Sequence, residues 1–377
     1  MIPFDHRDNL WKQTVYAKPE KEIDPFSDRE YFRPLHRAYN GDNTFWSVPS
    51  PEPDLDDEFW EMLKTHLDSE IAKNAAAKLV QSLFQWEPDG TRLVFAAILR
   101  AGVPIADWLC RMMPGSVAVS LSLFVGLGID RIALGMIQKT WPERKIVFVD
   151  GWTGKGGVSR AIRELNQGPL AVLNDPWGWA DFSGMQEDVF CPAACFTGAS
   201  TLGFSRTFFT DAHSLFSAYR FPRKYCRTDL VEKWQQLCPI SAKFLSKLRQ
   251  EFDVADFNRK EHKEGTKNTG FADRISKLRQ EFDVADFKCK EHKEGTKNTE
   301  KPFFRESKLR IHANEVCRAL INAAPETVMF FHDAAYVKDH YPLLPVLAER
   351  RKVKILYECR ELENLKTAVA CSLKTGN

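Results

Sequence analysis

Residues 145–165, KIVFVDGWTGKGGVSRAIREL, decide the fold of this chain. The four apolar residues at 146–149 show no alternation, which is typical of a strand that is covered on both faces. Asp150 follows this run, then come glycines at 151, 154, 156 and 157, and then apolar residues at helical spacing up to 165. A strand, a glycine-rich turn and a helix bring backbone N–H groups and a helix N-terminus together. The segment therefore predicts a phosphate site, with a plain strand-to-helix turn as the alternative.

Neither of two common phosphate motifs fits this segment. A Walker A loop needs a glycine five positions before Gly154 and a Ser or Thr after Lys155, but Val149 and Gly156 occupy those positions. The glycines also miss the G-x-G-x-x-G spacing of a dinucleotide fingerprint. The sequence thus predicts phosphate binding through another kind of loop.

The surrounding sequence alternates between strands and helices. Residues 92–109, RLVFAAILRAGVPIADWL, repeat the order of apolar strand, tight turn and helix. Strands are predicted at residues 93–98, 117–124, 146–149 and 170–173, and a helix at 58–84. This alternation predicts an α/β fold with a parallel sheet flanked by helices, and ligands at the carboxyl ends of the strands.

The order of acid, short spacer and Thr-Gly-Lys resembles the diphosphoribosyl-binding loop of type I phosphoribosyltransferases. The resemblance implies phosphoribosyl diphosphate as substrate and Mg²⁺ as cofactor, with Asp150 on the ribose hydroxyls and Arg100 on the pyrophosphate. It implies Lys155 as a third catalytic residue. The substrate-binding positions that it implies are Ala101, Gly102, Gly151, Thr153, Gly154, Gly156 and Gly157.

The phrases RAGVPI, SLSLFVGLGID, FVDGWTGKG, LAVLNDPWGWAD and CPAACFTGASTLGFSRTFF narrow the resemblance. Over residues 57–237 the chain is similar to the phosphoribosyltransferase-like proteins of bacterial tellurite-resistance and stress operons, a family also labelled cysteine protease StiP. The chain departs from ordinary type I enzymes at Gly151, where those enzymes carry a second acid, and from the tellurite-resistance family around Gly126, where an arginine-rich phrase is usual. The acceptor side is assigned to Asp130, Asp175, Ser205 and Arg206, with Asp181 beside them.

Three functions follow from this resemblance. The first is phosphoribosyl transfer to a nucleoside-like or RNA-linked acceptor, in which positioning and electrostatics stabilise the transition state. The second is a catalytically silent nucleotide or RNA sensor, because the second acid is absent. The third is a cysteine protease with Cys191 or Cys195 as nucleophile and His213 as base. The first is the main expectation.

Composition and cysteine usage restrict the class of protein. The chain has 377 residues, 44% of them hydrophobic, and a net charge of +2, which favours a globular protein without a strongly basic surface. The N-terminus lacks a signal pattern and no apolar run is long enough to cross a membrane. Nine cysteines without a C-x-x-C pair predict free thiols, no side-chain metal cluster and a cytoplasmic location. The family resemblance implies other stress-operon proteins as possible partners.

Four regions are predicted along the chain. Residues 1–56 form an irregular arm, 57–240 the transferase-like domain, 241–308 a charged linker with a near-identical repeat at 246–269 and 276–299, and 309–377 a small α/β domain. In the last region we predict helices at 309–323 and 343–350 and strands at 327–331, 353–356 and 368–373. The order of these sequence segments is similar to that in the Pelota-type, L7Ae-like RNA-binding domain. This resemblance implies RNA contacts at Asn314, Glu315 and Arg318.

Overall fold

A computed structural model describes residues 4, 10–32, 44–52, 55–237, 309–322 and 325–373. The described strands are numbered in chain order: β1 Thr14–Tyr16, β2 Lys18–Glu22, β3 Leu93–Ile98, β4 Val117–Leu121, β5 Leu123–Phe124, β6 Gly128–Ile129, β7 Lys145–Trp152, β8 Leu170–Asn174, β9 Phe182–Met185, β10 Ser217–Arg220, β11 Leu309–Ile311, β12 Thr327–Phe330, β13 Lys354–Leu356 and β14 Val369–Ser372.

The helices are numbered in the same way: α1 Thr44–Ser47, α2 Asp57–His66, α3 Glu70–Trp86, α4 Val103–Met112, α5 Arg131–Thr140, α6 Gly157–Leu165, α7 Ala199–Leu202, α8 Thr228–Gln236, α9 Ala313–Asn322, α10 Ala334–His340 and α11 Leu343–Arg350. Short 3₁₀ helices also occur at Arg29–Tyr31, Gly90–Arg92, Pro192–Thr197, Arg223–Tyr225 and Arg360–Leu365.

The main sheet has six strands in the order β1-β4-β3-β7-β8-β9, and every neighbouring pair is parallel. All residues of β3 and β8 are buried, as their continuous apolar sequences require for central strands. The predicted parallel sheet flanked by helices is confirmed. The carboxyl ends of β3 and β7 lie side by side, so the turns after these two strands can contribute to one site.

The helix predicted at 58–84 is two helices, α2 and α3. Ser69 begins α3, because its hydroxyl oxygen accepts a hydrogen bond from the N–H of Ala72. The apolar positions continue in register across this break, and for that reason the periodicity alone did not reveal it.

The segment 1–56 is more regular than predicted. β1 pairs with β4 and forms one edge of the main sheet, while β2 pairs with β10 in a separate two-stranded sheet. Both pairings are between strands far apart in sequence, so no local turn signal announces them.

Residues 309–373 form a four-stranded sheet in the order β11-β14-β12-β13. The helix predicted at 309–323 was placed four residues too early, since 309–311 form β11 and α9 begins at Ala313. The predicted helix at 343–350 coincides with α11, and the three predicted strands match β12, β13 and β14 to within one residue at either end, whereas α10 was not predicted.

The six-stranded main sheet and the four-stranded sheet of residues 309–373 share one continuous hydrophobic core. It contains Phe196 of the 3₁₀ helix Pro192–Thr197 and Leu320 of α9, both fully buried. We call this contact between the 3₁₀ helix Pro192–Thr197 and α9 the junction. The predicted linker at 241–308 and its repeat lie outside the described residues.

Candidate functional site

Arg100 lies in the turn after β3 and is held by two partners. Its guanidinium donates to Glu52 Oε1 at 2.7 Å and to Asn322 Oδ1 at 3.1 Å. The Arg100 and Glu52 side chains are 8% and 1% exposed, so this ion pair is buried. Glu52 Oε2 also accepts the backbone N–H of Ala199 at 2.9 Å. Glu52 and Asn322 were not predicted, because their partners lie far away in sequence.

Two positions predicted to bind substrate, Gly102 and Gly151, lie where β3 and β7 approach each other. A Cβ on Gly102 would lie 2.1 Å from the carbonyl oxygen of Val149, so only glycine allows this approach. A Cβ on Gly151 would lie 3.3 Å from the carbonyl oxygen of the neighbouring Ala101. The turn that carries Arg100 is therefore fixed against the turn that carries Asp150.

Arg206 completes a cluster of like charges that we call the arginine cluster: Arg100, Arg206 and Arg318. Burial and the positive charges of Arg100 and Arg318 together lower the pKa of Arg206 to about 9, although the charge of Glu52 opposes them. The Arg206 guanidinium lies over the ring of Phe124, 4.6 Å from its centre. Three positions predicted by separate arguments thus lie close enough in space to influence one another.

Asp150 lies beside the arginine cluster. Its Oδ1 accepts the N–H of Gly151 at 2.8 Å. Desolvation, with a small contribution from the charge of Glu315, raises the pKa of Asp150 to about 7, although the Gly151 N–H and the charge of Arg318 oppose this rise. This carboxyl group can therefore exchange a proton near neutral pH, which an ordinary aspartate cannot do.

We expect Asp150→Asn to stabilise the protein at pH 8. The pKa of Asp150 in the folded chain, about 7, lies above the ordinary aspartate value of 3.8, so between these values the folded chain binds more protons than the unfolded chain. The stability due to this group is present at low pH and is lost as pH rises through 7. Because the carboxyl is partly exposed, the gain at pH 8 should be only about 1–2 kcal/mol. Urea unfolding at pH 5 and pH 8 tests this, and an equal effect at both pH values would contradict it.

The glycine-rich loop is held by contacts within the chain. The Thr153 hydroxyl donates to Asp175, whose carboxylate also accepts the N–H groups of Trp179 and Ala180. Gly156 has φ +76°, and a Cβ there would meet the Trp179 ring at 2.8 Å. The Thr153 hydroxyl, one of the groups expected to hold a phosphate, thus has an internal partner. Gly154 has open space beside it, Gly157 packs near Val125 and Lys155 is exposed.

The other predicted acceptor-side residues also have internal partners. Asp130 caps α5 by accepting from Ala133, and it accepts the N–H of Phe216 as well. The Ser205 hydroxyl donates to the carbonyl of Arg206. Asp181 accepts the N–H of Leu170.

The three residues expected to contact RNA lie at the start of α9, next to the first sheet. Asn314 is fully buried: its Oδ1 accepts the N–H of Cys191 at 2.7 Å and its Nδ2 donates to the carbonyl of Val189 at 3.1 Å. Glu315 pairs with Arg318 and accepts from Trp152 Nε1 at 3.2 Å. The Arg318 side chain is 45% exposed. Asn314 therefore bridges two parts of the chain, whereas Arg318 is accessible.

Asp188 and His312 lie beside the junction, and neither was predicted as a site residue. Asp188 accepts hydrogen bonds from Ala313 N–H at 2.9 Å, Thr367 Oγ1 at 2.6 Å and Ala368 N–H at 2.8 Å. Its Oδ1 also lies 3.5 Å from His312 Nδ1. The only sequence signal was an acid shortly before Cys191, which is too weak to identify such a residue.

His312 is buried in an unusual conformation. Its φ of +93° lies in a region that residues other than glycine rarely adopt. Nδ1 accepts the N–H of Asn314 at 3.0 Å, while Nε2 has no hydrogen-bond partner among the described residues. Burial lowers the pKa of His312, so the neutral ring carries its proton on Nε2.

The two thiols considered as nucleophiles are both buried at the junction. Burial raises the pKa of Cys191 to about 12. Contact with the Cys317 thiol, 3.5 Å away, and burial raise the pKa of Cys195. The expected base, His213, is exposed and its N–H binds Asp211, and no hydrogen bond between described residues joins it to either thiol. The expected pairing with His213 is therefore not formed, and His312 is the histidine that shares a network with Cys191.

A groove lies elsewhere, at the amino end of β7. It has a volume of about 460 Å³, and Trp86, Trp141 and Lys145 are among the residues that line it. Its lining contains no cysteine, histidine or acid, so it offers no nucleophile or general base.

Two further surveys cover only the residues that the structure describes. No group of three or more His, Cys, Asp or Glu side chains there could hold a metal ion. No helix there is long and apolar enough to cross a membrane. The seven described cysteines are free thiols, as expected.

Comparison with known proteins connects the site to a family. A family model described as "Tellurite-like stress resistance cysteine protease StiP" matches residues 36–234, more than half of the chain. "Cysteine protease StiP" of Acinetobacter baylyi is 32% identical over 114 residues, which cover 27% of this chain and 30% of that protein. The chain therefore spans about a third of the length of this relative. Cys191 and Cys195 lie inside the family match, and His312 lies outside it.

These comparisons correct the main functional expectation. Both matches carry the description of a cysteine protease, so phosphoribosyl transfer, the reading placed first, is wrong, and the reading placed last is favoured. The local signals behind the transferase reading describe a strand, a turn and a helix, which many chemistries share. On the extent of the family match, the chain belongs to the StiP family of tellurite-like stress resistance cysteine proteases.

Proposed function

We propose that this chain is a latent cysteine peptidase with Cys191 as nucleophile, His312 as proton-transfer residue and Asp188 as the residue that orients His312. One observation carries the proposal: the backbone N–H of Cys191, together with Asn314, His312 and Asp188, forms a single buried network beside the junction, so the chain segment that bears the thiol lies next to the imidazole and the carboxylate. A thiol, an imidazole and a carboxylate brought together by tertiary contacts are the components of a cysteine peptidase. The name of the Acinetobacter baylyi relative supports this choice of chemistry.

The reaction follows from these groups. The Cys191 thiol transfers its proton to the imidazole of His312, and the resulting thiolate attacks the carbonyl carbon of a peptide bond. The imidazolium then returns the proton to the leaving amine, which leaves an acyl thioester. Water, deprotonated by the imidazole, hydrolyses the thioester and restores the thiol. Asp188 stabilises the imidazolium, since one of its oxygens already lies 3.5 Å from Nδ1.

Two features keep the described arrangement inactive. Cys191 is only 4% exposed and its raised pKa of about 12 keeps the sulfur protonated at neutral pH. In addition, the N–H of Asn314 occupies the Nδ1 lone pair of His312. A shift of α9 at the junction would break this hydrogen bond and admit a substrate to the thiol; Nδ1 can then carry a proton toward Asp188, which leaves Nε2 to accept the thiol proton. Asp188 precedes Cys191 by three residues and could hold His312 during such a shift.

Peptidase assays on the reduced full-length chain test the proposal, with fluorescently labelled casein as substrate and low urea concentrations to loosen the junction. We expect Cys191→Ser and His312→Gln each to reduce the rate by about 100-fold or more, because both act on the same proton transfer. His213→Ala is the matched control and should keep the rate within about twofold. Full activity of correctly folded Cys191→Ser, or no cleavage by the wild type at any urea concentration, would refute the proposal.

We also propose two likenesses of fold that imply no shared chemistry. The parallel sheet centred on β3 and β7 supports a phosphoribosyltransferase-like topology for 57–240, and the mixed sheet around β12 supports a Pelota-like topology for 309–377. A fold does not fix a reaction. Binding of Mg²⁺, of phosphoribosyl diphosphate or of RNA at Arg318, and a cytoplasmic location, stay predictions.

A further inference from the structure

Cys195 and Cys317 face each other across the junction. Cys195 lies in the 3₁₀ helix Pro192–Thr197 and Cys317 lies in the second turn of α9. Their sulfur atoms are 3.5 Å apart, and both residues are fully buried. A disulfide requires about 2.05 Å, so a shift of about 1.5 Å between two packed elements would bring the sulfurs to bonding distance.

The contacts on either side keep this pair in register. Asn314 of α9 binds the N–H of Cys191 before the pair, and Asn322 of α9 lies 3.4 Å from the Thr197 hydroxyl after it. The 3₁₀ helix and α9 are thus fixed against each other at both ends, with the two thiols between them. Two buried thiols could serve packing alone, but packing does not require sulfur opposite sulfur.

We propose that Cys195 and Cys317 are a site of reversible oxidation, where a disulfide bond fastens α9 to the 3₁₀ helix Pro192–Thr197. With a peroxide as oxidant, one thiolate attacks a peroxide oxygen and becomes a sulfenic acid, while one molecule of water is released. The second thiolate attacks the sulfenic sulfur, which forms the S–S bond and releases a second water. Two thiols are oxidised by two electrons in total and the peroxide is reduced.

This modification site goes beyond the proposed peptidase function and does not depend on it. One consequence does rest on that function: a disulfide at the junction would hold Cys191 in its buried state, so oxidation would keep the peptidase latent. The burial of both thiols also implies that oxidation needs a transient opening of the junction, and it should therefore be faster at low urea concentrations than in buffer alone.

Disulfide mapping of the full-length chain tests the site without any activity assay. Reduced protein is treated with hydrogen peroxide, the remaining thiols are alkylated, and the tryptic peptides are identified by mass spectrometry. We expect one linked pair of peptides that contains Cys195 and Cys317, with two hydrogen atoms lost, and its disappearance on reduction. The midpoint of urea unfolding should rise on oxidation, because the bond restricts the unfolded chain.

The controls separate this site from random oxidation. Cys195→Ala and Cys317→Ala should each abolish the linked pair, while Cys110→Ser, a half-buried thiol bound to the Ser116 carbonyl, should leave it unchanged. Chain unfolded in concentrated urea should instead give mixed pairs among its nine cysteines. If peroxide links Cys195 or Cys317 to other cysteines, or leaves both open to alkylation, the proposal is wrong. Linkage in the oxidised chain, together with no peptidase activity of the reduced chain at any urea concentration, would refute the peptidase function alone.

Discussion

Asp188→Ala is expected to lower the free energy of unfolding by about 3–5 kcal/mol, because the buried carboxylate of Asp188 accepts three hydrogen bonds that join the two sheets. The N–H groups of Ala313 and Ala368 would lose their acceptor in a buried region. Urea unfolding measures the loss. Amide hydrogen exchange should show the largest increase at the start of α9.

Asp188→Asn is the matched control for this prediction. It keeps one acceptor oxygen at nearly the same volume, so the loss should be smaller, about 1–2 kcal/mol. A loss below about 1 kcal/mol for Asp188→Ala would show that the three hydrogen bonds do not hold the junction.

Glu52→Ala should be as damaging, since it leaves Arg100 charged, buried and close to another positive charge. The Arg100 side chain is 8% exposed, and Arg206 already has a pKa lowered to about 9 by burial and by its arginine neighbours. Removing one partner of a buried ion pair costs about 3–5 kcal/mol. We expect that loss in urea unfolding, with little dependence on salt, because a buried pair is poorly screened.

Two controls make the Glu52 result specific. Glu58→Ala removes an exposed carboxylate that pairs with Arg350 and should change stability by less than about 1 kcal/mol. The double variant Glu52→Leu with Arg100→Met removes both charges and should recover much of the loss. If the double variant were no more stable than Glu52→Ala, the unpaired charge would not be the cause.

The correction of function shows what a local motif can and cannot decide. The order of strand, glycine-rich turn and helix at 145–165 is present, but β7 runs three residues beyond the expected end at Val149, through Trp152, whereas α6 begins within one residue of the expected helix. Its ligand was inferred from the polar groups it displays. The Thr153 hydroxyl, however, is used by Asp175, and the Trp179 ring lies against Gly156. The family match then assigns the chain to proteins described by another chemistry.

The candidate site was predicted only in part, because some of its residues lie in recognisable sequence patterns and others do not. Arg100, Asp150 and Arg206 stand next to apolar runs or recognisable phrases, so local sequence drew attention to each of them. Glu52 binds Arg100 over a separation of 48 residues, and no pattern marks it. His312 looks like any histidine before a helix. Its burial and its partner Asp188 become visible only when the two sheets pack together.

The sequence by itself determined the parallel sheet, because central strands must be apolar at every position and helices must repeat every 3.6 residues; both requirements are local. It also determined most elements of residues 309–373 for the same reason. The tertiary structure alone decided that β1 joins the main sheet, that α9 packs on the 3₁₀ helix Pro192–Thr197, and that Cys195 meets Cys317. These contacts join residues that are about 100 or more positions apart. They depend on the three-dimensional complementarity of whole surfaces, which no short stretch of sequence contains.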